Sequence, residues 1–304
     1  MKLLKIKENI KNTGLDSECL HNWVNSDIRP FLSIKEVILL FRLSASRLSQ
    51  LAVLTGFIAL ASSYCALPAY GDVNPEVKAA YQEALKDAEV PEYGEIYQKL
   101  TAITENNSKL VWEGEPGKSR LKVVTWTNYD GYKLNQKEPQ AIDMWVTVYP
   151  KLKNFCTQYV ASGGTNLSLR LKQLLGLNPN WQYKNIVEMW VEPQFLFRPS
   201  ADPEISDREA ELISPVSNRF TKIEKKHQDW LIKKRGDSFQ KNENGIYNDD
   251  AQPWTALGYT YDWGNPETEV GLSEFVIENN ENKDPESSFV EVVSITPIAI
   301  RNDL

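Results

Sequence analysis

The chain has 304 residues, with 34 Lys and Arg against 41 Asp and Glu, and ordinary globular proportions of 41% hydrophobic and 25% charged residues. A formal net charge of −7 is repelled by phosphate backbones, which excludes nucleic acid as the expected partner. Three cysteines supply no disulfide framework, so stability has to come from a hydrophobic core.

Residues 48–71 carry no charge and follow Arg42 and Arg47. Residues 51–61 form a compact apolar run, and Ala69 and Gly71 are small residues at the −3 and −1 positions before Asp72. A basic flank, an apolar run and a small-residue site together make a secretory signal, so export to the periplasm or the medium is expected. The alternative is an uncleaved anchor, since about 20 apolar residues span a bilayer. Pro68 and Gly71 interrupt the end of the run, which favours cleavage. Either way the basic residues come first, which places the C-terminal part outside the cytoplasm. Residues 1–50 read as a leader from an over-extended gene start. Glu8, Asp16, Glu18, Asp27 and Glu36 argue against an organelle transit peptide, which avoids acids. Cys19 and Cys65 leave with these segments. Tyr64 stands where lipidation of Cys65 would need a small residue.

The remaining 72–304 carry 26 Lys and Arg against 36 Asp and Glu, a formal charge of −10. Two helices are expected first. Residues 74–88 have Pro75 in the first turn and Tyr81, Ala84, Leu85 and Ala88 on one face; residues 93–103 place Ile96, Leu100 and Ile103 together. They make a helical segment over 72–106, ahead of a main domain over 107–304.

In the main domain LKVVTWT (121–127) reads as a strand, and 142–148 alternates as a half-buried one. Helices follow over 150–159 and over 169–177, the latter stopped by Gly176 and Pro179. Strands are expected at 186–191 and 195–197, an amphipathic helix over 218–234, and strands at 259–263, 274–277 and 289–295, with a polar loop over 278–288. Strand pairs interspersed with helices predict an α+β fold with a largely antiparallel sheet.

Gly114 to Ser119 (GEPGKS) has two residues between its glycines where a phosphate loop needs four, and a strand follows where a helix is required. It reads as a turn. Cys156 and His227 are the only cysteine and histidine after residue 71. Leu152, Phe155, Cys156, Tyr159 and Val160 share one helical face, so Cys156 is expected in the core rather than as a nucleophile. His227 lies on a face with Phe220, Ile223, Trp230 and Leu231, and is a weak candidate for binding. No metal and no cofactor is implied, because a single histidine without a cysteine pair makes a poor zinc site.

Carboxylates are the better material for chemistry. Asp202 and Glu204 follow Arg198, Asp262 sits among Tyr259, Tyr261 and Trp263, and Glu274 heads a strand. An acid flanked by aromatic rings can have a raised pKa and act as a general acid, and two such acids permit glycoside hydrolysis. The plain reading makes Asp202 or Ser200 the cap of a helix begun at Pro203, and Asp262 part of a strand-ending turn. Trp254 and Trp263 stand beside Pro253 and Gly264 and are expected to be exposed. Trp145, Trp190 and Trp230 are expected in packing. The stretch from Pro253 to Glu274 is expected to line a concave surface, with Arg198 balancing Asp262 or Glu274.

Five stretches resemble a family of uncharacterised exported bacterial proteins: WVTVYPKLKNFC (145–156), LRLKQLLGL (169–177), LFRPSADPEI (196–205), PWTALGYTYDWGN (253–265) and GLSEFVI (271–277). The resemblance covers much of the main domain. It implies export and a bacterial source, and no mechanism. Two functions are therefore carried forward. One is a non-enzymatic envelope or ligand-binding protein, its partner a small molecule, a glycan or an envelope protein. The other is a hydrolase of polysaccharide or cell wall that uses Asp202, Glu204, Asp262 or Glu274.

Overall fold

A computed structural model describes residues 74–212, 224–265, 267–279 and 289–298. The expected leader and signal lie outside the described residues, as do the start of the helix expected at 218–234 and most of the loop expected at 278–288. Among the described residues no helix is long and apolar enough to cross a membrane.

Helix α1 (Pro75–Glu89) starts at Asn74, whose side chain accepts the Glu76 amide at 2.8 Å, a bond that answers one of the free N–H groups of the first turn. Its buried face is Tyr81, Ala84, Leu85 and Ala88, as the spacing predicts. The helix does not stand apart from the main domain. Tyr81 meets Trp263 edge-on at 5.4 Å, and its hydroxyl donates to the Ala251 carbonyl at 2.8 Å.

The second expected helix is absent. Tyr93–Glu95 form one 3-10 turn, and the chain then passes through a turn at Gln98–Lys99 with no further helix. Leu100 donates its amide to Arg208 O at 2.9 Å, and Ile103 to Ile205 O at 2.7 Å. A helix would also have buried Ile96, Leu100 and Ile103 on one side. Here an irregular path buries Leu100 and Ile103 and finds backbone partners in another segment.

The core is a seven-stranded sheet in the order β2-β9-β4-β1-β3-β8-β5, with every neighbouring pair antiparallel. Its strands are β1 (Leu121–Thr127), β2 (Lys137–Pro139), β3 (Met144–Val148), β4 (Asn185–Val191), β5 (Leu196–Phe197), β8 (Phe275–Ile277) and β9 (Phe289–Pro297). Strands β6 (Tyr259–Tyr261) and β7 (Val270–Ser273) form a separate antiparallel pair. Helices α2 (Lys151–Ala161), α3 (Leu167–Leu174) and α4 (Lys225–Ser238) complete an α+β fold.

Strand alternation sorts the sheet into two faces. Val123, Val146, Met189 and Val292 pack on one side with Ile103 and Leu110. Val124, Trp126 and Ile186 point the other way, onto Leu152 and Cys156 of α2 and Leu171 and Leu174 of α3. Each such apolar side chain contributes about 1.5–3 kcal/mol of burial free energy. Cys156 is wholly enclosed, and burial pushes its thiol up to about 12.

One irregularity places the site. β1 and β3 pair only through Val123↔Val148 and Val124↔Thr147. On its other side β1 stays paired with β4 as far as Thr127↔Asn185, and β3 with β8 as far as Met144↔Ile277. Continued, the β1–β3 register would set Trp126 opposite Trp145. Instead the two strands part, and both residues line a cleft.

Candidate functional site

The cleft has a volume of about 930 Å³ and is walled by the diverging ends of β1 and β3, the turn after α3, the last turns of α4, residues 250–254 and the end of β6. Ligand sites commonly measure ~300–1,000 Å³ and are lined mostly by apolar and aromatic groups. Here Trp126, Trp145, Trp181, Tyr183, Trp254 and Tyr261 supply aromatic walls, and Tyr129 and Ile142 leave apolar surface exposed at the rim.

Trp254 is held from several directions. Arg235 of α4 donates to the Trp254 and Thr255 carbonyls at 3.1 and 3.0 Å, and to the Glu89 carbonyl of α1 at 2.7 Å. The Trp254 ring meets Trp145 and Trp230 edge-on at 6.2 and 6.1 Å, and Trp145 stacks on Trp230 at 5.9 Å. Its indole N–H donates to Glu274 Oε1 at 2.9 Å.

Glu274 sits between β7 and β8 and is buried. Desolvation pushes its carboxyl up to about 8, against the opposing pull of the Trp254 N–H and the Arg198 charge. It is thus largely a neutral acid at pH 7, able to donate a hydrogen bond. Asp143, also in the cleft, accepts the Trp230 indole N–H at 2.6 Å and the Asn279 side-chain amide at 2.8 Å.

The other expected residues separate. Asp262 is buried, but its partner is Arg170 of α3 rather than Arg198, in a two-pronged pair at 2.7 and 2.6 Å. It borders a smaller recess of about 600 Å³ that also holds Asp87 and Glu269. Arg170 follows Leu167 on the helix and precedes Leu171, so packing of those leucines aims it there, 92 residues from Asp262 in sequence.

Arg198 is fully buried. Its Nε donates to the Glu204 carbonyl at 3.0 Å, and one terminal nitrogen donates to the Asp207 carbonyl at 3.1 Å; the other terminal nitrogen has no partner among the described residues. Desolvation lowers its basicity, opposed by Asp207, Asp202, Glu204 and Glu274. The expected balance with Glu274 is therefore electrostatic, and no Arg198–Asp262 pair forms. Asp202, Glu204 and Asp207 bring their carboxylates within 4.8 Å of one another, outside the cleft. They serve as counter-charge to Arg198. No helix starts at Pro203: Asp202 caps a turn instead, accepting the Glu204 amide at 3.1 Å.

Tyr259 is enclosed away from the cleft, donating to the Glu95 carbonyl at 3.1 Å. Tyr261 reaches the cleft wall while its hydroxyl donates to Asp87 at 2.6 Å. Trp254 and Trp263 are not exposed; 6% and 8% of their surfaces remain open. Trp254 is covered by the other tryptophans, and Trp263 by α1, because both loops fold back over apolar faces. His227 stacks on Trp230 at 5.6 Å, its Nε2 2.8 Å from the Ser200 carbonyl, and backs the cleft without lining it. The GEPGKS stretch is a turn in which the Ser119 hydroxyl accepts the Gly114 amide at 3.0 Å, and it leads straight into β1.

Of the expected residues, Glu274, Trp254 and Tyr261 come together. Trp126, Trp145, Trp181, Tyr183 and Asp143 were missed. One signal was present: alternation in β3 sets Trp145 on the face opposite Met144 and Val146, so both faces of that strand carry large side chains. Fold and site together define an α+β domain with an aromatic, acid-bearing cleft at a parting in its sheet. No known protein family, no curated protein and no solved structure matches the chain.

Proposed function

We propose that this is an exported binding protein that holds a small organic ligand in the aromatic cleft. The observation that carries the reading is the cleft itself, about 930 Å³ in volume, lined by eight indole and phenol rings and holding the buried Glu274. Large rigid aromatic surfaces with few polar groups give affinity at low entropic cost. Support for export comes from the charge-free run over 48–71 and the small residues before Asp72. Native mass spectrometry of the chain purified from its own cells tests both parts. A retained small molecule and an N-terminus at Asp72 are expected. An empty protein that starts at Met1 and fractionates with the cytoplasm overturns the proposal.

A second reading rests on Glu274 alone. A carboxyl held near pKa 8 beside aromatic rings suits a general acid that protonates a glycosidic oxygen. Asp143, one of four further acids that line the cleft with Glu138, Asp237 and Asp250, is the second carboxylate such a hydrolase would use; Asp202, Glu204 and Asp262 lie outside the cleft. Release of reducing sugar from cell-wall polysaccharide, abolished in Glu274→Gln, would establish this reading over simple binding.

A further inference from the structure

Resting on the binding reading, we propose that the cleft recognises an organic cation of the quaternary ammonium class, held by tryptophan faces and balanced by the cleft carboxylates. Charge complementarity is the first argument. Glu138, Asp143, Asp237 and Asp250 line the cleft beside the largely neutral Glu274, against one cation, Lys234, among the described residues. Lys233 answers Asp237 from outside at 2.7 Å. The hydrogen bonds to Asp143 come from neutral donors, the Trp230 indole at 2.6 Å and the Asn279 amides at 3.2 and 2.8 Å. Aromatic walls with an excess of acid suit a cation with an apolar surface. A neutral sugar would have no use for that excess.

The second argument is that the cleft already holds a cation in this way. The Lys234 ammonium lies over the Trp145 ring, 5.3 Å from its centroid. The ring quadrupole attracts positive charge at its face, and more strongly where water is excluded. A methylated ammonium binds such faces well because its charge is spread over apolar methyl groups that lose little hydration. Trp126, Trp181 and Tyr183 add further aromatic surface to the cleft: Trp126 lies 5.0 Å from Tyr183, and Trp181 6.4 Å from Tyr183.

Glu274 gives the proposal a distinctive readout. A bound cation favours its ionised form, so binding below pH 8 releases a proton and tightens as pH rises. Arg198 beside β5 is the charge that acts on it, and Lys234 and Asp237 of α4, Asp143, Asp250 and Glu138 share the cleft lining with it.

The test uses the full chain, tryptophan fluorescence and calorimetry in two buffers of different ionisation heat. The probes are choline, its uncharged isostere 3,3-dimethylbutan-1-ol, and maltotriose. Choline is expected to bind at least about tenfold tighter than the isostere at pH 8. Its affinity should rise about tenfold or more from pH 6 to pH 9, with proton release. Glu274→Gln should remove the pH dependence, and the exposed Asp250→Asn should weaken choline severalfold without altering isostere binding. Equal affinity for choline and the isostere overturns the cation proposal. Binding of maltotriose alone also overturns it, while the binding reading stands. If no probe binds and the chain from its own cells is also empty, both fall.

Discussion

The indole N–H of Trp254 donates to Oε1 of Glu274 at 2.9 Å, and both residues are buried. The bond links the aromatic wall of the cleft to its one carboxyl with a strongly raised pKa, so the wall and the acid respond together to substitution.

Stability should fall as pH rises between about 4.5 and 8. Burial pushes the Glu274 carboxyl up from 4.5 to about 8, so within that window the folded protein keeps a proton the unfolded chain has released. The unfolded state then binds fewer protons, and the slope is negative, at most about 1.4 kcal/mol per pH unit. Glu274→Gln stays neutral throughout and should remove this contribution. Urea melts of both proteins at pH 5, 6.5 and 8 provide the comparison; parallel pH profiles would contradict the assignment.

Trp254→Phe keeps a ring and loses the donor that favours the ionised carboxyl. The expected cost is about 1–3 kcal/mol, from the lost hydrogen bond and the smaller ring. The pH window of Glu274 should also widen upward. Carbon-13 NMR of labelled glutamate reads that midpoint directly, and a downward move would refute the coupling.

Asp262 and Arg170 should matter for folding and not for the cleft. Arg170→Met leaves a buried carboxylate without its charge partner and should cost about 3–5 kcal/mol. Asp262→Asn should cost less, because the stranded Arg170 keeps more access to water than Asp262 does, with 17% of its side chain open against 3%. Both variants should retain any cleft ligand in native mass spectrometry. Loss of ligand without loss of stability would move the functional site to the smaller recess.

Gly258 has φ +74°, and a Cβ there would stand 2.7 Å from Cδ of the buried Arg198. Gly258→Ala meets both backbone strain and a side chain with no free space to retreat into. A loss of about 2–4 kcal/mol is expected, seen as a lower melting temperature. An unchanged melting temperature would show that Arg198 is less confined than its packing indicates.

Cys156 should be inert in the folded chain. Burial both shields the thiol and pushes it up to about 12, leaving almost no thiolate at pH 8. Peptide mapping after maleimide treatment should find it unmodified in buffer and fully modified in urea. Rapid labelling under native conditions would mean the α2 interface opens readily.

Local spacing made much of the fold legible. The i, i+3, i+4, i+7 pattern located α1 and α2 and put Tyr81 and Cys156 on their buried faces; alternation located β3, β-branched and aromatic content located β1, and strands are expected where β4 and β9 lie. The strands that escaped, β2 and β7, are short, and the burial of β7 does not alternate, so each depends on a partner strand rather than on its own pattern. The helix expected at 93–103 failed for a related reason: its apolar spacing suits a helix, but residues 205–208 offer the irregular chain backbone hydrogen bonds that spacing cannot reveal.

The sequence by itself determined the antiparallel α+β fold and the buried faces of its regular elements, because both follow from periodicities of 2 and 3.6 residues along the chain. It also marked Trp254, Tyr261 and Glu274 as material for a site. Only the tertiary structure decided that Asp262 pairs with Arg170 while Arg198 faces Asp207, since several cations were available and packing of α3 and β5 delivered each to its acid. Only the tertiary structure opened the cleft, because a parting between β1 and β3 belongs to their register and not to either strand alone. Trp145 reads as a packing residue in its own segment and β1 alone does not single out Trp126; both line the site because the two strands separate just before they would have met.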